Sequence, residues 1–263
     1  MPPRTGPGHH PPYGGSVDLA DLVARLRAAG CVFAEEEASL LGEAGADEAA
    51  VARRVAGEPL EHVLGWAAFR GLRVAVAPGV FVPRHRSGLL VDLAVARAAP
   101  GAVVVDLCCG SGALGAAVAA EVAIELHAVD RDPAAVACAH RTVPGDVYEG
   151  DLDAPLPPDL RGRVDVLLAS PPYVPTAEIA GMPPEAREHE PLPTLDGGPD
   201  GLDVARRIAA LAPAWLAPAG VLLVECATHQ GPELAVAVRA VGLAATVHTD
   251  DDATTVEGRW PTR

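Results

Sequence analysis

The chain has no lysine; all 20 of its basic residues are arginine. With the abundance of Ala, Gly and Pro, this reads as a base-composition bias, and no function is drawn from it. The five cysteines (Cys31, Cys108, Cys109, Cys138 and Cys226) contain no C-x-x-C pair and are odd in number. That pattern excludes a zinc ribbon and a disulfide framework, and predicts reduced, buried thiols in a cytoplasmic protein. The adjacent Cys108-Cys109 fits core packing better than a vicinal redox pair. No apolar run reaches membrane-spanning length, and no basic-then-apolar leader opens the chain, so no membrane partner is expected. A strong positive field is missing too: the net charge is −15, and most of the acid excess falls after residue 100. A surface of that sign is poorly suited to tracking a phosphate backbone, which makes a nucleic acid an unfavoured substrate. A small basic cluster, Arg70, Arg73, Arg84 and Arg86, precedes the acidic half; it is a solvated face or a contact for an anionic partner.

What is present is ample for a core. At 263 residues and 49% hydrophobic residues, the chain is long enough for a substantial α/β domain and a small second one. Residues 1–15, rich in Pro, Gly and His, read as a disordered tail. Residues 16–66 read as a small helical domain: Ser16 is placed to cap a first helix, and further helices follow over about 34–43, 47–57 and 59–64. Residues 67–100 form a β-hairpin and a linker helix, with the alternating 70–76, a Pro78-Gly79 turn and the return 80–82 as the hairpin. From 101 to 263 strands and helices alternate, with strands at 103–107, 124–129, 147–148, 164–169 and 221–226, and a closing hairpin over 244–259. This is the pattern of a parallel, Rossmann-like α/β sheet. The proline-rich stretch 174–200 is long for a loop in a compact domain and reads as a lid or binding loop.

Two features carry chemistry. Asp106-x-x-x-Gly110-x-Gly112 follows a strand and opens a helix, and Asp130 ends the next strand, where its carboxylate can accept from ribose hydroxyls. The spacing fits an adenosine-bearing cofactor. A nicotinamide dinucleotide stays a competitor, because the third glycine of its fingerprint would fall at Gly115. The second feature is Ser170-Pro171-Pro172-Tyr173, which breaks a buried strand at its carboxyl end. Neither proline can donate to a ladder, so carbonyls are freed there. A hydroxyl, a carbonyl and an aromatic face suit a planar NH2 group; a plain proline-rich turn reads equally well from those four residues alone. An amine-accepting turn and an aspartate inside the first strand favour S-adenosylmethionine over a hydride carrier. Glu225, at the end of the fifth strand, either lines the site or is structural. His189-Glu190 is a candidate substrate contact. His62, His127, His140 and His248 are scattered, and Trp66 and Trp215 read as packing residues.

With these residues in view, the chain resembles the protein-glutamine N5-methyltransferases (PrmC/HemK family), and within them a related actinobacterial group. The resemblance runs from Ser16 onward through Gly57–Gly65, Pro78–Arg84, Val104–Ala113, Ser170–Thr176, His189–Pro191 and Leu195–Leu202. It implies a class I methyltransferase sheet and methylation of the glutamine of a Gly-Gly-Gln motif in a peptide chain release factor. It further implies that the helical domain recognises the protein substrate and that the enzyme is a monomer. Asp106, Cys108, Gly110 and Gly112 would line the methionine part of S-adenosylmethionine, Asp130 the ribose and Asp151 the adenine. Ser170, Pro171, Pro172 and Tyr173 would bind the substrate amide, with Ser170, Pro171 and Tyr173 catalytic and Ser170 also bordering the cofactor. No metal is implied. Two positions depart from the family: Ser170 stands for its Asn, and Arg84–Gly88 replaces a stretch that carries an acid. Ser-Pro-Pro-Tyr also resembles the motif of cytosine-N4 DNA methyltransferases. A small-molecule, peptide or nucleic-acid-base N-methyltransferase is the alternative.

Overall fold

The computed structural model describes residues 18–250 and 253–261; the expected tail and Ser16 lie outside them. The chain divides into two compact units between Leu64 and Gly65. The first is helical: α1 (Leu19–Ala28), α2 (Ala34–Glu43), α3 (Glu48–Val55) and the short α4 (Leu60–Leu64). Asp18 caps α1, its carboxylate accepting from Ala20 N. Leu22 and Leu26 of α1 and Ala34, Ala38 and Leu41 of α2 recur at helical spacing and bury one face each, with Val51 of α3 completing the cluster. A two-pronged ion pair, Arg54 Nε and Nη2 to Glu37 at 2.5 and 3.0 Å, ties α3 to α2.

The second unit opens with β1 (Trp66–Phe69) and β2 (Leu72–Ala75), an antiparallel pair with Trp66 opposite Ala75. The hairpin thus forms earlier in the chain than the alternation suggested. Arg70 (φ 46°) and Gly71 (φ 78°) make its two-residue turn, and positive φ at both central positions matches the turn to the right-handed strand twist. Residues 80–82 make no returning strand, although Val80 and Val82 are buried. There follow α5 (Gly88–Arg97), β3 (Val103–Leu107), α6 (Ala113–Glu121), β4 (Glu125–Asp130), α7 (Pro133–Thr142), β5 (Asp146–Glu149) and β6 (Val164–Ala169). The stretch read as one long loop contains two short helices, α8 (Pro184–His189) and α9 (Leu192–Leu195). The chain closes with α10 (Asp203–Trp215), β7 (Leu216–Cys226), α11 (Gly231–Ala240), β8 (Ala244–Thr249) and β9 (Thr254–Arg259).

Seven strands form one sheet in the order β5-β4-β3-β6-β7-β9-β8. Neighbours from β5 to β7 run parallel, and β9 is antiparallel to both β7 and β8. Side chains of β3 alternate between two apolar layers. Val103, Val105 and Leu107 pack with α10 and α11, while Val104 packs with α5 and α6. Asp106 falls on the α6 side by the same alternation, fully buried. The order reverses between β3 and β6, and a crevice opens beyond the carboxyl ends of the strands at such a point.

Candidate active site

At the end of β3 the chain turns through three residues of positive φ: Cys108 (56°), Gly110 (54°) and Gly112 (78°). Cys108 is unusual there, since a Cβ makes this region unfavourable by about 1–2 kcal/mol. The turn is held from β4: Cys109 N donates to Val129 O at 3.0 Å, and Gly110 N to Asp130 Oδ2 at 2.8 Å. Asp130 Oδ1 accepts from Asp132 N at 2.9 Å. At Gly112 (φ 78°), the first residue before α6, a Cβ would lie 2.3 Å from Val143 Cγ2 just past the end of α7, so any other residue must push that side chain aside.

Beneath the turn, Asp106 Oδ2 accepts from Gly115 N at 2.9 Å. Its Oδ1 has no hydrogen-bond partner among the described residues. Burial, reinforced by the charge of Asp130, pushes the Asp106 carboxyl up to about 7 against the pull of the Gly115 amide. Burial also raises Asp130. The Cys108 thiol is raised first by burial and then by Asp130, Asp106 and Asp151 together. Asp130, with Asp106 behind it and Asp151 at the rim, makes this end of the sheet acidic, although Asp106 is held partly protonated by its burial. That field suits a cationic sulfonium and ammonium and opposes a pyrophosphate, which weighs against the dinucleotide alternative.

A cavity of about 660 Å³ lies over the switch point. Cys108, Gly110, Asp130 and Asp151 border it on one side. Ser170, Pro171, Pro172 and Tyr173 border it on the other. Asp106 and Gly112 are not on its wall; they support it from behind. Asp151 Oδ2 accepts from Arg207 Nη2 at 2.6 Å on the cavity rim.

The Pro-Pro turn is held from outside the β ladder. Val174 N donates to Leu195 O and Gly197 N to Val174 O, both at 2.9 Å, so 195–197 folds back along the turn. The approach is close enough to require glycine. A Cβ on Gly197 would lie 2.7 Å from Pro172 O, and one on Gly201 (φ 79°) 2.2 Å from Tyr173 O. The Gln230 side chain locks the arrangement: Nε2 donates to Tyr173 O (2.9 Å) and Asp200 O (2.8 Å), while Oε1 accepts from Ala227 N (2.9 Å). Arg86 Nη2 donates to Tyr173 OH at 2.6 Å, and burial leads the upward shift of that phenol. Glu190 is not turned to the cavity; it accepts from Arg84 Nη2 at 2.6 Å and from Val82 N at 3.3 Å, anchoring the loop. Trp215 is buried and donates to Asp153 Oδ2 at 2.9 Å. Gln230 escaped sequence reasoning. It follows a strand as a lone amide in Thr-His-Gln-Gly-Pro, and only the fold brings it to a turn 57 residues away.

This sheet, with its reversed last hairpin and its cavity at the switch point, defines a Rossmann-like methyltransferase. A solved structure of the T. thermophilus 16S rRNA N2 G1207 methyltransferase in complex with AdoMet and guanosine matches with a TM-score of 0.55 at 20% identity, over 74% of this chain and 50% of that one. The E. cuniculi Mtq2–Trm112 complex, responsible for methylation of the eRF1 termination factor, matches with a TM-score of 0.51 at 18% identity, over 70% of this chain and 99% of that one. At such identities the likeness is one of fold. The methyltransferase small domain model matches residues 71–181. The release factor glutamine methyltransferase of Streptomyces coelicolor is 42% identical over 192 residues, 70% of this chain and 68% of that protein. That of Geobacter sulfurreducens is 40% identical over 186 residues, 68% of this chain and 64% of that protein, just under two thirds of its length. The chain belongs to the release factor glutamine methyltransferase family. No helix among the described residues is long and apolar enough to cross a membrane, and no cluster of three or more metal-ligating side chains occurs among them.

Proposed function

We propose that this chain transfers a methyl group from S-adenosylmethionine to the side-chain amide nitrogen of a glutamine in a release factor Gly-Gly-Gln motif, acting as a cytoplasmic monomer. The observation that carries this reading is the Ser170–Tyr173 turn, bordering the same cavity as Cys108, Gly110 and Asp130 in a chain of this family. The residues fit the cofactor: the acidic end formed around Asp130 suits its positive charges, and the Cys108–Gly112 turn presents backbone rather than side chains to its methionine part. Asp130 would accept from the ribose hydroxyls and Asp151 would lie on the adenine side, both bordering the cavity. The bound cofactor supplies an electrophilic methyl group.

The protein's own task is positioning, because an amide nitrogen is a poor nucleophile whose lone pair is delocalised into its carbonyl. Ser170 Oγ and the Pro171 carbonyl accept from the two N–H bonds, turn the nitrogen toward the methyl and take up charge as it develops. The Tyr173 ring, fixed through its hydroxyl by Arg86, packs on the flat amide. The test is transfer of labelled methyl to a cognate release factor beside a Gly-Gly-Gln→Gly-Gly-Ala version. Label on the first alone supports the reading. Label on neither, with cofactor bound, overturns it and directs the search to small amides, peptides and nucleic-acid bases.

A further inference from the structure

The β6–β7 register pairs Leu168 with Leu223 and Ala169 with Val224. One step further along both strands brings Ser170 beside Glu225, at the point where Pro171 ends the ladder. Glu225 is 2% exposed and sits opposite Thr255 of β9. Ser170 and Tyr173 face its carboxylate from the turn after β6, and Arg86 and Ser87 from the segment before α5. Cys226 follows it on its own strand and feels its charge. Its Oε2 is buried without a hydrogen-bond partner among the described residues.

A second buried glutamate in the same sheet shows what a structural role looks like. Glu257 of β9, 3% exposed, is surrounded by Arg97, His248 and Arg259. Glu225 forms no ion pair among the described residues, and leaving a buried carboxylate oxygen without a partner is unfavourable. The chain also has no asparagine anywhere, so no carboxamide of that kind assists the amide site.

We infer that Ser170 and Glu225 form a proton relay for the acceptor nitrogen: Ser170 touches the amide, and Glu225 acts through it as a positioning residue and proton acceptor. This rests on the glutamine-methylation reading above. The amide nitrogen forms its bond to the methyl carbon as the carbon–sulfur bond breaks, and that electron pair stays on sulfur. One of the two nitrogen protons passes to Ser170 Oγ, and the hydroxyl proton passes to the Glu225 carboxylate, which Ser170 faces. Serine is left neutral, and Glu225 returns the proton to water through the hydroxyl after the product leaves. A methylated amide nitrogen still carrying both protons is strongly acidic, so a carboxylate is base enough. Burial is the largest influence on Glu225 and holds its carboxyl above the ordinary range, against Ser87, Ser170, Arg86 and Tyr173. The relay needs the ionised form, so kcat rises with pH through that raised pKa.

The relay is tested in the full-length enzyme by steady-state methyl transfer and by infrared spectra of ¹³C-labelled glutamate carboxylates. Glu225→Gln and Ser170→Ala are each expected to lower kcat roughly 100-fold, as loss of a proton-transfer group does, with cofactor affinity kept. The double variant should be no slower than either single one, Glu225→Asp should regain part of the rate, and the acid limb of kcat should vanish in Glu225→Gln. Losses that multiply, or an unchanged acid limb, overturn the relay. The infrared arm needs no turnover: a carboxylate titrating above the ordinary glutamate range, absent in Glu225→Gln, should move in Ser170→Ala. If it stays put, the relay fails. If the wild-type enzyme labels no glutamine but the band moves, the proposed acceptor is wrong and the Ser170–Glu225 coupling stands.

Discussion

The two ends of the cavity draw their support from different distances along the chain. Around Cys108–Gly112, main-chain amides and glycine geometry do the holding: Asp130 fastens the turn through the Gly110 N–H while the Asp132 N–H holds its other oxygen, and Gly112 lets α7 come close. Around Ser170–Tyr173, the holding groups come from distant segments: the 195–197 fold-back with Gly197 and Gly201, Gln230 from the start of α11 and Arg86 from the segment before α5. The first end is specified locally, within one β-turn-α stretch and the next strand. The second depends on the whole second unit being folded. A common cofactor is served by a local, stereotyped frame, whereas an acceptor site assembled from scattered side chains can change its substrate by single substitutions.

Four experiments sharpen or break that contrast. The largest effect is expected at Asp106. Its carboxyl is raised from 3.8 to about 7, so its contribution to stability is full below pH 4 and is lost as pH rises toward 7. The difference amounts to up to roughly 4 kcal/mol. Urea denaturation should show the wild-type apoprotein weakening between about pH 4 and pH 7 and levelling off above, and Asp106→Asn should flatten that fall; an unchanged slope would place the pH dependence elsewhere. Next, Asp130→Ala frees the Gly110 and Asp132 amides. Loss of about 3 kcal/mol, roughly a hundredfold in cofactor Kd, is expected by calorimetry. An affinity within experimental error of wild type would show that the turn holds itself. Gln230→Leu strips partners from two carbonyls at the other end, worth about 2 kcal/mol. It should raise KM for the acceptor with cofactor Kd kept, and a cofactor defect instead would break the division between the two ends. The smallest effect is Arg86→Gln, where one hydrogen bond to Tyr173 is lost. About 1 kcal/mol is expected in kcat/KM, seen as a fewfold change in acceptor kinetics.

The same contrast explains what was legible in the sequence. Val103–Leu107, the glycine turn and Asp130 announce themselves, because strand, turn and helix are consecutive and each residue type has one physical reason to be there. Pro133 in the first turn of α7 and the Ser-Pro-Pro-Tyr break were readable for the same reason. The hairpin was displaced because its first strand, Trp-Ala-Ala-Phe, alternates weakly, and the turn signal lies in a positive φ at Arg70 that no composition rule marks. Asp106 and Gly112 were expected on the cavity wall and instead stand behind it, since a one-residue change of strand face or a close helix crossing is invisible without the sheet. Gln230 and the partnering of Glu190 with Arg84 were out of reach, because both join segments far apart in the chain.

Gln230 has one more consequence. Tyr173 O and Asp200 O share its single side-chain amide, so the intervening segment is a ring closed by the chain on one side and by two hydrogen bonds on the other. For such a ring the entropy of closure grows only with the logarithm of its circumference, about 0.6 kcal/mol for each doubling. Residues between the tied points, away from the 195–197 fold-back and the Glu190 anchor, therefore form a cassette: it can be lengthened or rewritten at small energetic cost while the turn beneath it keeps its place.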